Sequence, residues 1–501
     1  MQRSLPPRRW LVRGVALLLA LSLLAPAAGA ALGIGDDPSD SPSELGPGTI
    51  DQPAANATVV GIQGYHFQGQ GNRKKPARIA SADGNATTNW LYEDALGARW
   101  FYDVDPLPNG NLLVVSTNPD GTTVYELNRD NRERVWQETL PFHDTHDIDV
   151  YNETHLAIAN MRQWNESCQC SNDRVVLYDR SEGEIDWEWR FRNHYPNSTD
   201  GGFAKDWTHV NDVEVIRNGT ELLLSPRNFD QVIAVNIESK EITERLGEDG
   251  DHSTLYEQHN PDWLTTEAGD PTILVADSEN DRVIEYTKND DGEWEHVWSA
   301  GSSASLSWPR DADRLPNGNT LVVDSMNHRV IEITPQGEIV WEYFATWSPY
   351  DAERLGTADE SNGPTMRDQG VSGHKAVYGS AGGLSATFSS WLAATAQGTI
   401  VEGPVIEFAG LWGRLAPWFR PVWLSSWEFA GVVGAVLLLS GWGLAEAIRE
   451  RDRIADGLGV PFLDPVRISL GTAAMWAEQG LTHSRVTYPA FSAEREASLF
   501  E

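Results

Sequence analysis

From residue 57 to residue 356, short apolar runs alternate with clusters of turn residues, and the arrangement repeats. The clearest copy opens at Trp308-Pro309-Arg310-Asp311-Ala312-Asp313 and passes through the turn Leu315-Pro316-Asn317-Gly318-Asn319. Apolar runs at residues 320–324, 329–334 and 338–343 follow. Such runs bounded by Asn, Gly and Pro read as strands, here four in succession, a to d. Further copies open at Asp103-Val104-Asp105, His146-Asp147-Ile148-Asp149, Asn211-Asp212-Val213-Glu214 and His259-Asn260-Pro261-Asp262. The aligned acidic positions 103, 147, 212, 262 and 311 stand 44, 65, 50 and 49 residues apart. Four strands in roughly 40–50 residues is the period of a β-propeller blade.

Closure is also readable. Tyr350-Asp351-Ala352-Glu353-Arg354-Leu355 repeats strand a, but no b, c or d run follows it. Those runs stand instead at the other end, as Thr58-Val59-Val60-Gly61-Ile62, Ala77-Arg78-Ile79 and Asn89-Trp90-Leu91. A blade shared between the two ends pairs edges that would otherwise stay open. The expected fold is therefore all-β: a six-bladed β-propeller over residues 57–356, its last blade closed by residues 347–356. Trp residues ending the d strands are read as blade packing.

The two ends have a different pattern. Arg3, Arg8, Arg9 and Arg13 precede an uncharged stretch over residues 14–34 that contains Ala28-Gly29-Ala30. This predicts an export signal, or a signal anchor, within residues 1–35. Residues 36–56 read as an acidic linker, and the Gly/Ser-rich residues 357–426 as a second linker. An apolar run over residues 429–445, with Trp427 and Trp442 near its ends, predicts a transmembrane helix over 427–446; a buried core helix is the rival reading. Arg449, Arg451 and Arg453 follow at once, so the positive-inside rule makes residues 447–501 a cytoplasmic tail. The propeller is then extracellular at the cell membrane. Sequons at Asn56, Asn85, Asn152, Asn165, Asn197 and Asn218 fit surface glycosylation there.

Charge sharpens the picture. The 501 residues hold 73 acidic and 38 basic side chains, a net charge of −35. Nothing here would neutralise phosphates, so no nucleic-acid partner is expected. An acidic surface poor in Lys suits high salt, where counterions screen self-repulsion. Two cysteines exclude a disulfide framework; Cys168-Gln169-Cys170 is expected to close a local disulfide outside the cell.

In a propeller, the loop entering strand a and the loop from b to c share one face. Residues there, from different blades, converge on the axis. They are His143, His146, His209, His259 and Arg310 before a strands, and Arg227 after a b strand. The insertions at residues 160–173 and 192–207 would wall this mouth. Three chemistries fit: a His-only metal site, which the two Arg would repel; anion binding without reaction; and nucleophilic attack on an anionic ester, with Arg and His stabilising the developing charge.

The stretches His143-Asp144-Thr145-His146-Asp147-Ile148-Asp149, Asp206-Trp207-Thr208-His209-Val210-Asn211, Ser225-Pro226-Arg227-Asn228 and Gln258-His259-Asn260 resemble, in order and spacing, the sites of the arylsulfate sulfotransferase family. That resemblance covers the propeller. The segment after Arg227 and the Asn260-Pro261 pair depart from the family's pattern. The resemblance implies an exported six-bladed propeller that passes a sulfuryl group between phenols through a sulfohistidine. His259 matches the nucleophile, and His209, Arg227 and His146 match the sulfuryl-binding groups. His143, Arg310 and Asn211 are candidate substrate-binding residues, with His143 and His146 exchangeable at this stage. Small aryl sulfates and phenols are the implied partners, and no cofactor is called for. The alternative is a non-catalytic propeller, similar to NHL-type repeats around Asn327-His328-Arg329-Val330, that binds a ligand or protein at the cell surface.

Overall fold

The computed structural model describes residues 8–32, 45–66, 73–93, 100–118, 121–357, 360–379 and 387–458. Six sheets, each built on four antiparallel strands, form a six-bladed propeller. The a strands are Trp100–Pro106, Ile148–Val150, Val210–Ile216, His259–Thr265, Pro309–Arg314 and Pro349–Arg354, in blades one to six. Blade six is the shared one. Its a strand pairs with Thr58–Ile62 in the register Thr58↔Arg354, Val60↔Ala352 and Gly61↔Asp351. Arg78–Ala82 and Thr88–Tyr92 complete that blade.

Burial explains why the period holds. The b and c strands are buried on both faces, so they read as continuous apolar runs such as Leu222-Leu223-Leu224. Their side chains build hydrophobic cores at the junctions between neighbouring blades. Trp189, Trp298 and Trp341, all on d strands, are fully buried in these junctions. Trp298 donates its indole N–H to the Pro335 carbonyl at 2.9 Å, which satisfies the one polar group it buries.

Two expected linkers carry structure. Within 36–56, Leu45–Ile50 adds a fifth strand to blade five, with Leu45 opposite Ala345 and Ile50 opposite Trp341. Within 357–426, Gly373–Lys375 runs parallel to the outer strand of blade four, with His374 opposite Ser299. An outermost strand presents unpaired N–H and C=O groups, and these extended pieces satisfy them. Helices α2 (Phe388–Ala396) and α3 (Glu402–Phe419) follow. Small residues made this segment look like a linker, yet Ala409 and Ala416 are buried. The α3 turn is held by Trp347 Nε1 donating to Pro417 O (2.9 Å) and Arg414 Nε donating to Asn327 Oδ1 (3.1 Å).

The termini form a separate unit. Helix α1 is Arg8–Ala31 and α4 is Ser426–Leu458. Val12–Ala31 and Ser426–Ile448 are long and apolar enough to cross a membrane, with mean hydropathies of 2.0 and 1.7. Only 11% and 6% of those stretches are buried, so α4 is not a core helix. Arg13 pairs with Glu446 at 2.7 Å. The expected cytoplasmic tail beyond residue 458 and Arg3 lie outside the described residues.

Candidate active site

The site is built where the a strands begin. Blades one, three, four, five and six carry a β-bulge there, at Phe101/Asp103, Val210/Val213, His259/Asp262, Pro309/Asp311 and Pro349/Asp351. A bulge inserts an unpaired residue and re-aims its side chain. The extra residues are Tyr102, Arg310 and Tyr350, and Asn211 sits within the blade-three bulge. Left-handed backbone at His209 (φ 42°), Glu257 (φ 46°) and Asn260 (φ 37°) marks the same loops as locally strained. Arg227 begins the single 3-10 turn after strand b of blade three.

These loops bring three imidazoles together. His146 and His209 have ring centroids 5.1 Å apart. Tyr350 sits between the histidines: its hydroxyl is 3.1 Å from His146 Nδ1, and its ring centroid is 5.9 Å from that of His259. Tyr102 stacks on His146 at 4.0 Å and donates its hydroxyl to Asp144 (2.8 Å). The Arg310 guanidinium lies over the rings of Trp308 and Tyr350 at 4.0 and 4.8 Å, and donates to Gln63 Oε1 at 2.7 Å.

Hydrogen bonds set the tautomers. His259 Nδ1 lies 3.2 Å from the Glu257 carbonyl and 2.8 Å from Ser278 Oγ. The carbonyl can only accept, so Nδ1 carries the proton and Nε2 the lone pair. His209 Nδ1 lies 2.9 Å from the Asp206 carboxylate, which likewise puts its lone pair on Nε2. Arg162 bridges Asp206 (3.0 Å) and Asp144, and so links the carboxylates beside His209 and His146.

Burial dominates the electrostatics. It lowers His259 well below the ordinary histidine value, helped by the charges of Arg310 and Arg227. It pushes His209 down to about 3, with Arg227 adding and Asp206 opposing. Burial also lowers His146 against the pull of Asp144. Burial alone would raise Asp206, but the hydrogen bonds from His209 and Arg162 and their charges hold it well below the usual carboxylate range. The imidazoles are therefore neutral near pH 7. Arg227 does not stand alone, since Nη2 is 3.1 Å from Glu257 Oε2.

Of the residues expected at the site, His146, His209, His259, Arg227 and Arg310 line this one face. His143 is exposed and takes part in none of these ring contacts. Asn211 is buried and donates to Gln258 O at 2.9 Å, so its amide braces the loop that carries His259. Sequence reasoning missed Tyr102, Tyr350, Glu257 and Ser278. The signal for the tyrosines was present: each immediately precedes an aligned acid, as His146, Asn211 and Arg310 do. Cys168 and Cys170 are joined by a disulfide within the first insertion. Asn56, Asn85, Asn152, Asn197 and Asn218 are exposed, whereas Asn165 is partly buried and accepts the Ser167 N–H.

Residues 72–295 match the family model of the arylsulfotransferases (ASST). Over those residues, which make up most of the propeller, the chain is similar to the arylsulfotransferase family. The matched region contains His146, His209, Asn211, Arg227 and His259, and the family's chemistry is aryl sulfotransfer. No curated protein matches the sequence. Among solved structures, the chain is similar to a protein of unknown function from Bacteroides caccae: 14% identity, 58% of this chain and 93% of that one, TM-score 0.39. An auxiliary nutrient binding protein from Bacteroides ovatus has 11% identity, 60% and 78% coverage and a TM-score of 0.37. A catalytically inactive virginiamycin B lyase from Staphylococcus aureus has 11% identity, 64% and 89% coverage and a TM-score of 0.37.

Proposed function

We propose that the propeller transfers a sulfuryl group from an aryl sulfate ester to a phenol, with His259 as the nucleophile. The carrying observation is the tautomer: Nδ1–H is held by the Glu257 carbonyl and Ser278, which leaves a neutral Nε2 lone pair among cations. In the first half-reaction Nε2 attacks sulfur in line with the aryl oxygen. The N–S bond forms, the S–O bond breaks, and the electron pair leaves with the phenolate. Arg227 and Arg310 stabilise the oxygen charge. In the second half-reaction an acceptor phenol passes its proton by way of His209 Nε2, oriented by Asp206, to the donor's phenolate or to solvent. Its oxygen bonds sulfur as the N–S bond breaks and the electron pair returns to His259 Nε2. His259 returns to its neutral form. His146 and Tyr350 bind the non-bridging oxygens or the ring. The apolar helices α1 and α4 anchor the chain in the cell membrane, with the glycosylated propeller outside.

A binding role without turnover has one observation in its favour, the Arg227–Glu257 ion pair, which occupies charge the sulfuryl oxygens would use. Intact-mass measurement after brief exposure to a chromogenic aryl sulfate, without acceptor, separates the two. Stoichiometric sulfation of the wild type and none of His259→Asn is expected. Equal labelling of both proteins would overturn the nucleophile; no labelling of the wild type in molar salt would favour the binding role.

A further inference from the structure

Each a strand carries an acid at the axis: Asp103, Asp147, Asp212, Asp262, Asp311 and Asp351. Strand period two places a second acid on the same side two residues later in five blades, at Asp105, Asp149, Glu214, Asp313 and Glu353. All but Asp147 and Asp149 are at least nine-tenths buried. Part of this arrangement is structural. Asp351 accepts the Val104 N–H (2.9 Å), Asp103 that of Ile148 (3.4 Å), Asp147 that of Val213, and Asp311 that of Ala352 (3.2 Å). Each clasp ties one blade to the next and uses one carboxylate oxygen.

The clasp does not account for every oxygen. Between blades three and four it is made by Glu214, which accepts the Trp263 N–H at 2.8 Å. Asp212 Oδ2 is buried with no hydrogen-bond partner. Asp212 holds the same a-strand position as Asp147, Asp262 and Asp311, whose charges act on it together with that of Glu214. Across the axis, one oxygen each from Asp103, Asp105 and Asp351 lie within 4.8 Å of one another. Among the described residues, Asp103, Asp147, Asp212, Asp311 and Asp351 form no ion pair with Lys or Arg. Buried carboxylates this close need a proton or a cation between them.

We propose that the axial channel binds a hard cation, calcium by its donor chemistry, held by Asp103, Asp105 and Asp351 and drawn in by Asp147 and Asp212. Every donor is a carboxylate oxygen, which excludes a soft or imidazole-seeking metal. Calcium accepts several carboxylates in flexible geometry, whereas magnesium demands a near-ideal octahedron and keeps its waters. Asp351 belongs to the closing blade and Asp103 to blade one, so the ion would lock the seam where the two ends of the domain meet. The inference rests on the channel carboxylates and not on sulfuryl transfer.

The test uses the full chain, stripped with chelator and kept in molar potassium chloride. Calorimetric titration with calcium chloride should show one ion per chain, and calcium should raise the melting temperature. Asp212→Asn breaks no hydrogen bond and should weaken binding about tenfold, the loss of one charge near the ion being worth on the order of 1.4 kcal/mol. Asp103→Asn keeps an acceptor for Ile148 and should weaken it more. His155→Ala removes the other oxygen-rich cluster, His155, Asp179 and Asp186, and should change nothing. Absence of calcium binding with an unmoved melting temperature would overturn the proposal, as would binding lost in His155→Ala and kept in Asp212→Asn. Should Asp103→Asn fail to fold, the Asp212→Asn and wild-type titrations decide.

Discussion

Ser278 Oγ lies 2.8 Å from His259 Nδ1 and donates its own proton to the Pro309 carbonyl at 2.7 Å. Toward His259 it can only accept. A hydroxyl from the end of strand b in blade four thus fixes the proton on the nucleophile's far nitrogen, by way of the backbone of blade five. Ser278→Ala should leave the fold intact, because the Glu257 carbonyl still takes the Nδ1 proton. Loss of one hydrogen bond is worth about 1 kcal/mol, so the sulfation rate should fall roughly fivefold with little change in KM. Single-turnover labelling measures it. An unchanged rate would mean the carbonyl alone sets the tautomer.

The electrostatics predict where acid stops the reaction. His259 is held well below the ordinary value by burial and by Arg310 and Arg227, so it stays neutral through mildly acidic pH. Labelling should therefore persist well below pH 6.5, and a rate that halves near 6.5 would contradict this. Stability has a matching sign. His209 titrates at about 3 folded against 6.5 in the unfolded chain. The unfolded chain takes up protons first, so the contribution of neutral His209 is present above about 6.5 and lost as pH falls toward 3. His209→Gln should flatten the acid limb of a melting curve measured over that window.

Arg227 and Glu257 should respond in opposite directions. Removing an oxyanion donor costs on the order of 2.7–4 kcal/mol, so Arg227→Ala should slow turnover about a hundred- to thousandfold. Glu257→Gln keeps the shape and removes the competing charge, and so should tighten aryl sulfate binding. Steady-state kcat and KM for the two variants test this. Weaker binding in Glu257→Gln would show that the glutamate positions Arg227 rather than screens it.

The blades were legible because every a-to-d unit repeats one pattern of burial, and closure because strand a recurs at residues 350–355 without its partners. The histidines were legible because they precede aligned acids. Tyr102 and Tyr350 carry the same signal and, like Arg310, are the extra residues of bulges; a phenol at that position does not announce anion chemistry as an imidazole or guanidinium does, so they were passed over. Ser278 and Glu257 act through loop backbone from neighbouring turns, and Arg162 reaches Asp144 and Asp206 from an insertion with no repeat to align it. The segment after residue 356 was misread because extended edge pieces and small-residue helices have linker composition.

That segment supplies the last prediction. Ser361 donates its backbone N–H to Asp262 at 3.1 Å, and Met366 N–H donates to buried Glu285 at 2.8 Å. Glu285 in turn pairs with fully buried Arg314 at 2.9 Å. Ile339 N–H reaches the Tyr378 carbonyl at 2.7 Å, and Gly373–Lys375 covers the edge of blade four. Met366 is fully buried in the core between blades four and five, worth about 1.5–3 kcal/mol by itself. Met366→Ala in the full chain should therefore cost about 2–5 kcal/mol once the cavity is included, a loss that a surface linker would not show. Denaturant unfolding of the propeller, followed by Trp fluorescence, measures it. A change within about 0.5 kcal/mol would return residues 360–379 to the status of a tether.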